Sequence, residues 1–328
     1  MKLLHVDHPE SDYLSAMLFM GFVEVLGEEN VVDWPVKLSH RGIVDRYISP
    51  YPQGGMGVTA PLPWTMHLKD GHRWSDDEVA DRIGEFDLVV LGSTRRYNSE
   101  ALTRLIARVG RSAIRRLVIA DTEDHDQIDT GLIGKYAPSV YFKRELLPSH
   151  PRKIGETRIE PCPFASPYRQ LPSSTPPGKV QRTVDVAFLG GQNFPGGKPP
   201  LEAALRSTAA VVDTERRPYR EYLDALPRAK MAVATRGYGW DTTRIWEIAA
   251  CEGTLLVLER QPVIRPFPFE DGVTAALFGS PDELAAQVRK YLADEPLRAR
   301  VAAAGYAHTL KFHTAGARAQ QVLDEAFR

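Results

Sequence analysis

Four stretches of the sequence gather side chains whose types and spacing suit chemistry. Residues 235–254 read TRGYGWDTTRIWEIAACEGT. Within them Arg236 and Arg244 are cations that suit a phosphate, and Gly239, Trp240 and Asp241 form a turn between them. Glu247 lies one helical turn beyond Arg244. A carboxylate there suits a ribose or sugar hydroxyl pair, or pairs with Arg244 at i, i+3 and simply supports the helix. A second stretch, 190–198, reads GGQNFPGGK. Gly190 and Gly191 let the backbone approach a ligand closely, and Lys198 at the start of a helix offers positive charge to a phosphate. The loop departs from a Walker A motif, with Gln192 where a glycine belongs and Pro199 where Ser or Thr would hold Mg²⁺. Diphosphate contact and a plain surface turn both remain open for it.

The other two stretches are acidic. Residues 121–126 read DTEDHD, and 8–13 read HPESDY. Carboxylates at the end of a strand serve as general bases or hold a divalent metal, so His8, Asp12, Glu123 and Asp124 are the candidate catalytic bases. Asp12 equally suits the cap of the helix that follows it, and 121–126 equally suits a solvated turn. Lys143 and Arg144 offer a second anion site or a charged strand end. Trp64 and Trp74 suit stacking on a sugar or burial.

These residues need rigid elements behind them. Short apolar runs alternate with amphipathic stretches through both halves, the pattern of parallel sheets flanked by helices. The first half predicts strands at 2–7, 87–92, 115–121 and 139–142, with a helix over 98–110 that Gly110 ends. The second half predicts strands at 184–190, 209–213, 231–235, 254–259 and 274–278. Its helices fall at 200–207, 219–226, 242–251, 282–293, 297–310 and 315–327. Residues 34–76 carry scattered proline, glycine and aromatic residues with no period, an irregular insertion of the kind that is often functional. Residues 160–179 hold six prolines and three serines and cannot sustain a helix or a central strand. The boundaries that follow are a first domain over 1–160, a linker over 161–179 and a second domain over 180–312. A terminal helix over 313–328 is expected to pack back toward the first domain.

The chain has 328 residues with 41 Lys plus Arg against 42 Asp plus Glu. So even a balance gives no global field for nucleic acid or an acidic membrane. Its two cysteines, Cys162 and Cys251, stand in no metal-ligand spacing, which fits a reducing compartment. Charge comes too early at the N-terminus for a signal peptide, and no apolar run approaches the roughly 18 residues of a membrane span. A cytoplasmic protein is expected.

The segment from 219 onward resembles the C-terminal domain of glycosyltransferase-1-like proteins, including relatives of the spore-maturation protein CgeB. The resemblance is carried by Gly239-Trp240-Asp241, then Arg244, Glu247, Ala249, Ala250 and Gly253 before a strand. It continues in Pro281-Asp282-Glu283-Leu284, Ala304-Gly305, His313-Thr314 and Arg318. It implies an α/β chain of the glycosyltransferase B (GT-B) type, two Rossmann-like domains facing each other across a cleft, with the donor nucleotide on the second. Glu247 matches the second glutamate of the family's paired-glutamate motif, and Gly239 stands where the first would be.

The expected activity is transfer of a sugar from a nucleotide-sugar donor, without metal or other cofactor, to an acceptor that is a small molecule, polysaccharide or protein. Gly190, Gly191, Lys198, Arg236, Gly239, Trp240, Asp241, Arg244 and Glu247 would bind the donor. His8, Asp12, Glu123 or Asp124 would supply a base if the reaction inverts the anomeric centre. Two rivals remain: a non-catalytic protein of the same fold that binds sugar or a partner, and a metal-dependent hydrolase or epimerase built on 121–126. No nucleic-acid partner and no integral membrane segment are expected.

Overall fold

The computed structural model of the chain describes residues 1–7, 12–35, 74–166, 180–189 and 198–328. The chain divides into two compact units. Among the described residues, one unit takes those up to 166 together with 315–328, and the other takes 180–314. His8, Gly190, Gly191, Trp64 and most of the irregular 34–76 stretch lie outside the described residues, as do linker residues 167–179.

In the first unit the elements run β1 (Leu3–Val6), α1 (Tyr13–Leu26), β2 (Val31–Trp34), α2 (Asp76–Asp81), β3 (Leu88–Leu91), α3 (Arg96–Val109), β4 (Leu117–Asp121), α4 (Thr130–Tyr136), β5 (Val140–Lys143), β6 (Lys153–Ile154) and β7 (Thr157–Pro161). The sheet order is β2-β1-β3-β4-β5-β7-β6, with every pairing parallel except β6 with β7. A parallel sheet is covered on both faces, so its strands are apolar throughout rather than alternating. Leu3, Leu4, Leu88, Val90 and Leu91 accordingly show no exposed surface. Each such side chain contributes about 1.5–3 kcal/mol by leaving water. Gly110 ends α3 as its sequence position predicts, with φ at +80° where an L side chain would be strained.

The second unit runs β8 (Val184–Ala187), α5 (Pro199–Arg206), β9 (Val212–Asp213), α6 (Tyr219–Ala225), β10 (Ala229–Ala234), α7 (Thr243–Ala249), β11 (Leu255–Glu259), β12 (Ala276–Phe278), α8 (Pro281–Ala293) and α9 (Glu295–Phe312). Its sheet order is β12-β11-β10-β8-β9, all parallel. Val186, Met231, Val233, Leu255 and Val257 form its core with Leu284, Val288 and Tyr291 of α8. Pro281 opens α8 behind Ser280, whose hydroxyl caps the Glu283 N–H at 3.2 Å.

Both sheets share one plan. In each, the first strand lies between the second and the third, so chain progress across the sheet reverses there. Loops leaving the carboxyl ends of strands on either side of that reversal diverge and leave a crevice for a ligand. The positions are β1/β3 in the first unit and β8/β10 in the second.

One boundary differs from the sequence expectation. Pro161 closes β7 rather than opening a linker, because β6 pairs only with Thr157 and Arg158 and leaves the outer edge at Pro161 free of any ladder. Cys162, Phe164, Ala165 and Ser166 are then buried in the first unit. The last helix, α10 (Ala315–Phe327), also belongs to that unit. The Ala315 N–H donates to the Ser166 carbonyl at 3.0 Å, and Arg158 bonds Glu325 at 2.8 Å. Among the described residues no helix is long and apolar enough to cross a membrane.

Helix α10 lies directly on α1, where Gly21 leaves no room for a side chain. A methyl built there would sit inside the van der Waals shell of the Ala315 carbonyl oxygen, a backbone atom that cannot rotate away. Gly21→Ala is expected to cost about 1–3 kcal/mol as overpacking. Thermal unfolding checks this, and an unchanged melting temperature contradicts the packing.

Candidate functional site

The second unit's reversal point brings together much of what the sequence singled out. Lys198 stands at the start of α5, after β8, and Arg236 through Arg244 follow β10. Lys198 is only 5% exposed. Its ammonium lies 4.8 Å from the Phe188 ring centre and 3.6 Å from Glu202. Burial holds the Lys198 pKa below the ordinary lysine value; Glu202 opposes that shift, and the positive charge of Arg244 adds to it. The helix behind Lys198 supplies less than a usual N-terminus. Pro199 and Pro200 have no N–H, so only the Leu201 N–H precedes the first intrahelical bond, Glu202 N–H to Lys198 carbonyl. The cation there is the side chain.

Arg244 sits in the first turn of α7. Among the described residues it makes no ion pair, and its Nε is buried without a hydrogen-bond partner. Of the two readings left open for Glu247, the i, i+3 pair with Arg244 does not form. Glu247 is buried, and its two oxygens accept hydrogen bonds from the hydroxyls of Tyr219 (2.9 Å) and Tyr222 (2.8 Å) on α6. Burial raises the Glu247 pKa above the usual carboxylate value, while the two hydroxyls and Arg244 pull it back. The Tyr222 hydroxyl is raised well above 10 by burial and by the Glu247 charge, so it stays a donor.

The turn between β10 and α7 is fixed from several sides. The Glu259 carboxylate accepts the Arg236 N–H at 3.0 Å, and the Gly239 carbonyl accepts the Gly237 N–H at 2.8 Å. The Arg236 guanidinium lies over the Trp240 ring at 4.9 Å. Asp241, expected among the donor-binding residues, is held by its neighbours. Its buried Oδ1 accepts from Trp246 Nε1 (3.2 Å) and Arg265 Nη2 (3.0 Å). Thr242 takes the N-cap position without a side-chain capping bond. Tyr219, Tyr222, Glu259 and Arg265 complete this region and were not singled out in sequence. Only the i, i+3 spacing of the two tyrosines hinted at a shared face.

The first unit's reversal point holds a different arrangement, in which each charged group has a partner. Asp12 caps α1 through Ser15 N–H (3.1 Å), and its other oxygen accepts from Ser93 (2.9 Å) and Thr122 (2.7 Å). Arg95 bridges Asp12 (3.6 Å) and Glu123 (3.5 Å). Asp121 accepts from Tyr141 (2.5 Å) and Lys143 (2.9 Å), and Arg144 pairs with Asp124 and Glu145. Lys143 and Arg144 are therefore buried structural cations and not an open anion site. Every acid of the 121–124 run faces a cation, and among the described residues no three His, Cys, Asp or Glu side chains cluster as metal ligands. Glu123, with its side chain 34% exposed, keeps some access to solvent.

Residues 184–324 match a family model described as glycosyl transferase-like. No curated protein matches the chain at the threshold of significance. Anabaena HepE, solved in complex with UDP and glucose, aligns over 99% of this chain and 98% of its own at 14% identity and TM-score 0.60. A glycosyltransferase from Rickettsia africae ESF-5 aligns over 98% and 97% at 11% identity and TM-score 0.60. The fold is that of the GT-B glycosyltransferases. Sucrose-phosphate synthase from Thermosynechococcus elongatus shares the GT-B plan over 99% and 98% at 12% identity and TM-score 0.52.

Lys143→Met leaves the Asp121 carboxylate buried without its cation and is expected to cost about 3–5 kcal/mol. Denaturant unfolding reads this, and a loss under 1 kcal/mol contradicts a buried pair. For Glu247 the folded-state pKa lies above the unfolded one, so folding binds its proton more tightly. Its stabilising effect is full below the unfolded pKa and lost as pH rises through the folded value. Glu247→Gln, neutral throughout, should gain melting temperature relative to wild type as pH rises above the ordinary carboxylate range; a difference that does not move with pH contradicts the shift.

Proposed function

We propose that this chain transfers a glycosyl group from a nucleoside diphosphate sugar to an acceptor, with Lys198 and Arg244 receiving the donor's diphosphate. The observation that carries this reading is Arg244, a cation with a buried, unpartnered Nε whose charge is felt by the buried ammonium of Lys198 at the sheet's reversal point. Two cations in one partly desolvated place repel each other, and a diphosphate relieves that repulsion. The family model covers this region, and HepE, which shares the fold, is solved with UDP and glucose. A closer kinship to CgeB-type proteins rests on the 239–253 motif and is part of the same proposal.

In such a transfer the bond from the anomeric carbon to the diphosphate oxygen breaks and negative charge grows on the leaving diphosphate. Donors already aimed at that position stabilise the transition state without reorganising, each worth about 2.7–4 kcal/mol. Lys198 and Arg244 supply that role from side chains, so the reading needs no metal or other cofactor. Arg236, Gly239 and Trp240 shape the wall that the donor meets. On the first unit, Asp12 is taken up by its cap and two hydroxyls. The acceptor-side base of an inverting reaction then falls to Glu123, to Asp124, or to His8, which lies outside the described residues. The acceptor is a small molecule, a polysaccharide or a protein.

The test is release of nucleoside diphosphate from UDP-, GDP-, ADP- and dTDP-glucose in excess EDTA. Wild type should release one of them, and Arg244→Ala should lower kcat by about 10²–10³ at unchanged melting temperature. Release that requires added Mg²⁺, or that survives Arg244→Ala, contradicts the assignment.

A further inference from the structure

Arg244 and Glu247 stand three residues apart on α7, a spacing at which opposite charges on a helix ordinarily meet. Here they do not. Glu247 instead receives one hydroxyl on each oxygen, Tyr219 on Oε1 at 2.9 Å and Tyr222 on Oε2 at 2.8 Å. The two tyrosine rings stack on each other, 6.0 Å between centroids and 27° between planes, which fixes the separation of their hydroxyls. Both come from α6, so a neighbouring helix controls where the carboxylate points.

We infer that Tyr219 and Tyr222 are positioning residues that hold the Glu247 carboxylate off Arg244 and so keep the guanidinium available to a diphosphate. This inference rests on the diphosphate role proposed above for Arg244. Two neutral donors satisfy a buried carboxylate without neutralising it, whereas a pair with Arg244 would satisfy both partners and close the anion site. The arrangement stores no ligand charge of its own. It leaves one cation uncompensated until the diphosphate arrives. Removing the hydroxyls frees the carboxylate to turn toward the nearest cation on its own helix, and Arg244 is that cation by spacing.

The test uses inorganic pyrophosphate, the part common to every nucleoside diphosphate donor, titrated calorimetrically into the full-length protein. Tyr219→Phe/Tyr222→Phe should raise the pyrophosphate Kd by about tenfold. Adding Glu247→Gln to that double variant should restore the Kd to within about threefold of wild type, because a neutral amide does not neutralise Arg244. Tyr219→Phe alone, at a half-buried ring, should give a smaller loss with the same rescue, and serves if the double variant does not fold. An unchanged Kd in the phenylalanine variants overturns the inference, as does a loss that Glu247→Gln fails to rescue. Absence of pyrophosphate binding by wild type overturns both this inference and the diphosphate reading; binding by wild type with no rescue overturns the inference alone.

Discussion

A partly buried cation needs an anion, a set of carbonyls or water, and the second unit withholds the first of these from Arg244. The nearest carboxylate on its own helix, Glu247, is held by two tyrosine hydroxyls. The carboxylate just ahead of its helix, Asp241, is engaged by Trp246 and Arg265. What remains is a guanidinium with an unpartnered Nε whose positive charge is felt by a second buried cation, Lys198. Such an arrangement costs stability when empty, since burial favours the uncharged state and like charges repel. It becomes favourable when a dianion fills it. The rest of the unit follows from that constraint. The strand order places the two loops at the reversal point, and Glu259 fixes the first residue of the second loop.

The first unit shows the opposite solution with the same strand plan. Its reversal point gathers Asp12, Glu123, Asp121, Asp124, Arg95, Lys143 and Arg144, and these pair among themselves or with hydroxyls. A closed network of that kind fixes a shape and leaves little charge for a ligand. The contrast between an internally satisfied and an unsatisfied crevice separates the two units more sharply than their shared topology does.

Much of this was legible in the sequence because parallel strands are continuous apolar runs. All five strands of the second sheet could be read that way, and its five described helices from their amphipathic stretches, down to Pro281 opening α8. The strand Val31–Trp34 was missed because it is four residues long at the edge of an aperiodic stretch. β7 was hidden because its Arg158 and Glu160 alternate with buried residues and Pro161 resembles linker composition. At the site, Arg244 and Lys198 were found from residue type beside glycine-rich turns. Their environment was not, since it depends on contacts that cross the sequence. Tyr219 and Tyr222 reach Glu247 over 28 and 25 residues, and Arg265 reaches Asp241 over 24. Lys143 and Arg144 looked like an anion site because a sequence shows charge but not the buried acids that neutralise it.

The most direct test of the central claim is the salt dependence of UDP binding, measured by calorimetry in EDTA on the intact chain. If two cations receive the diphosphate, UDP binds one per chain, uridine binds far more weakly, and affinity falls steadily as ionic strength rises. Equal affinity for UDP and uridine, or binding insensitive to salt, would place the recognition on the base and contradict the role given to Lys198 and Arg244.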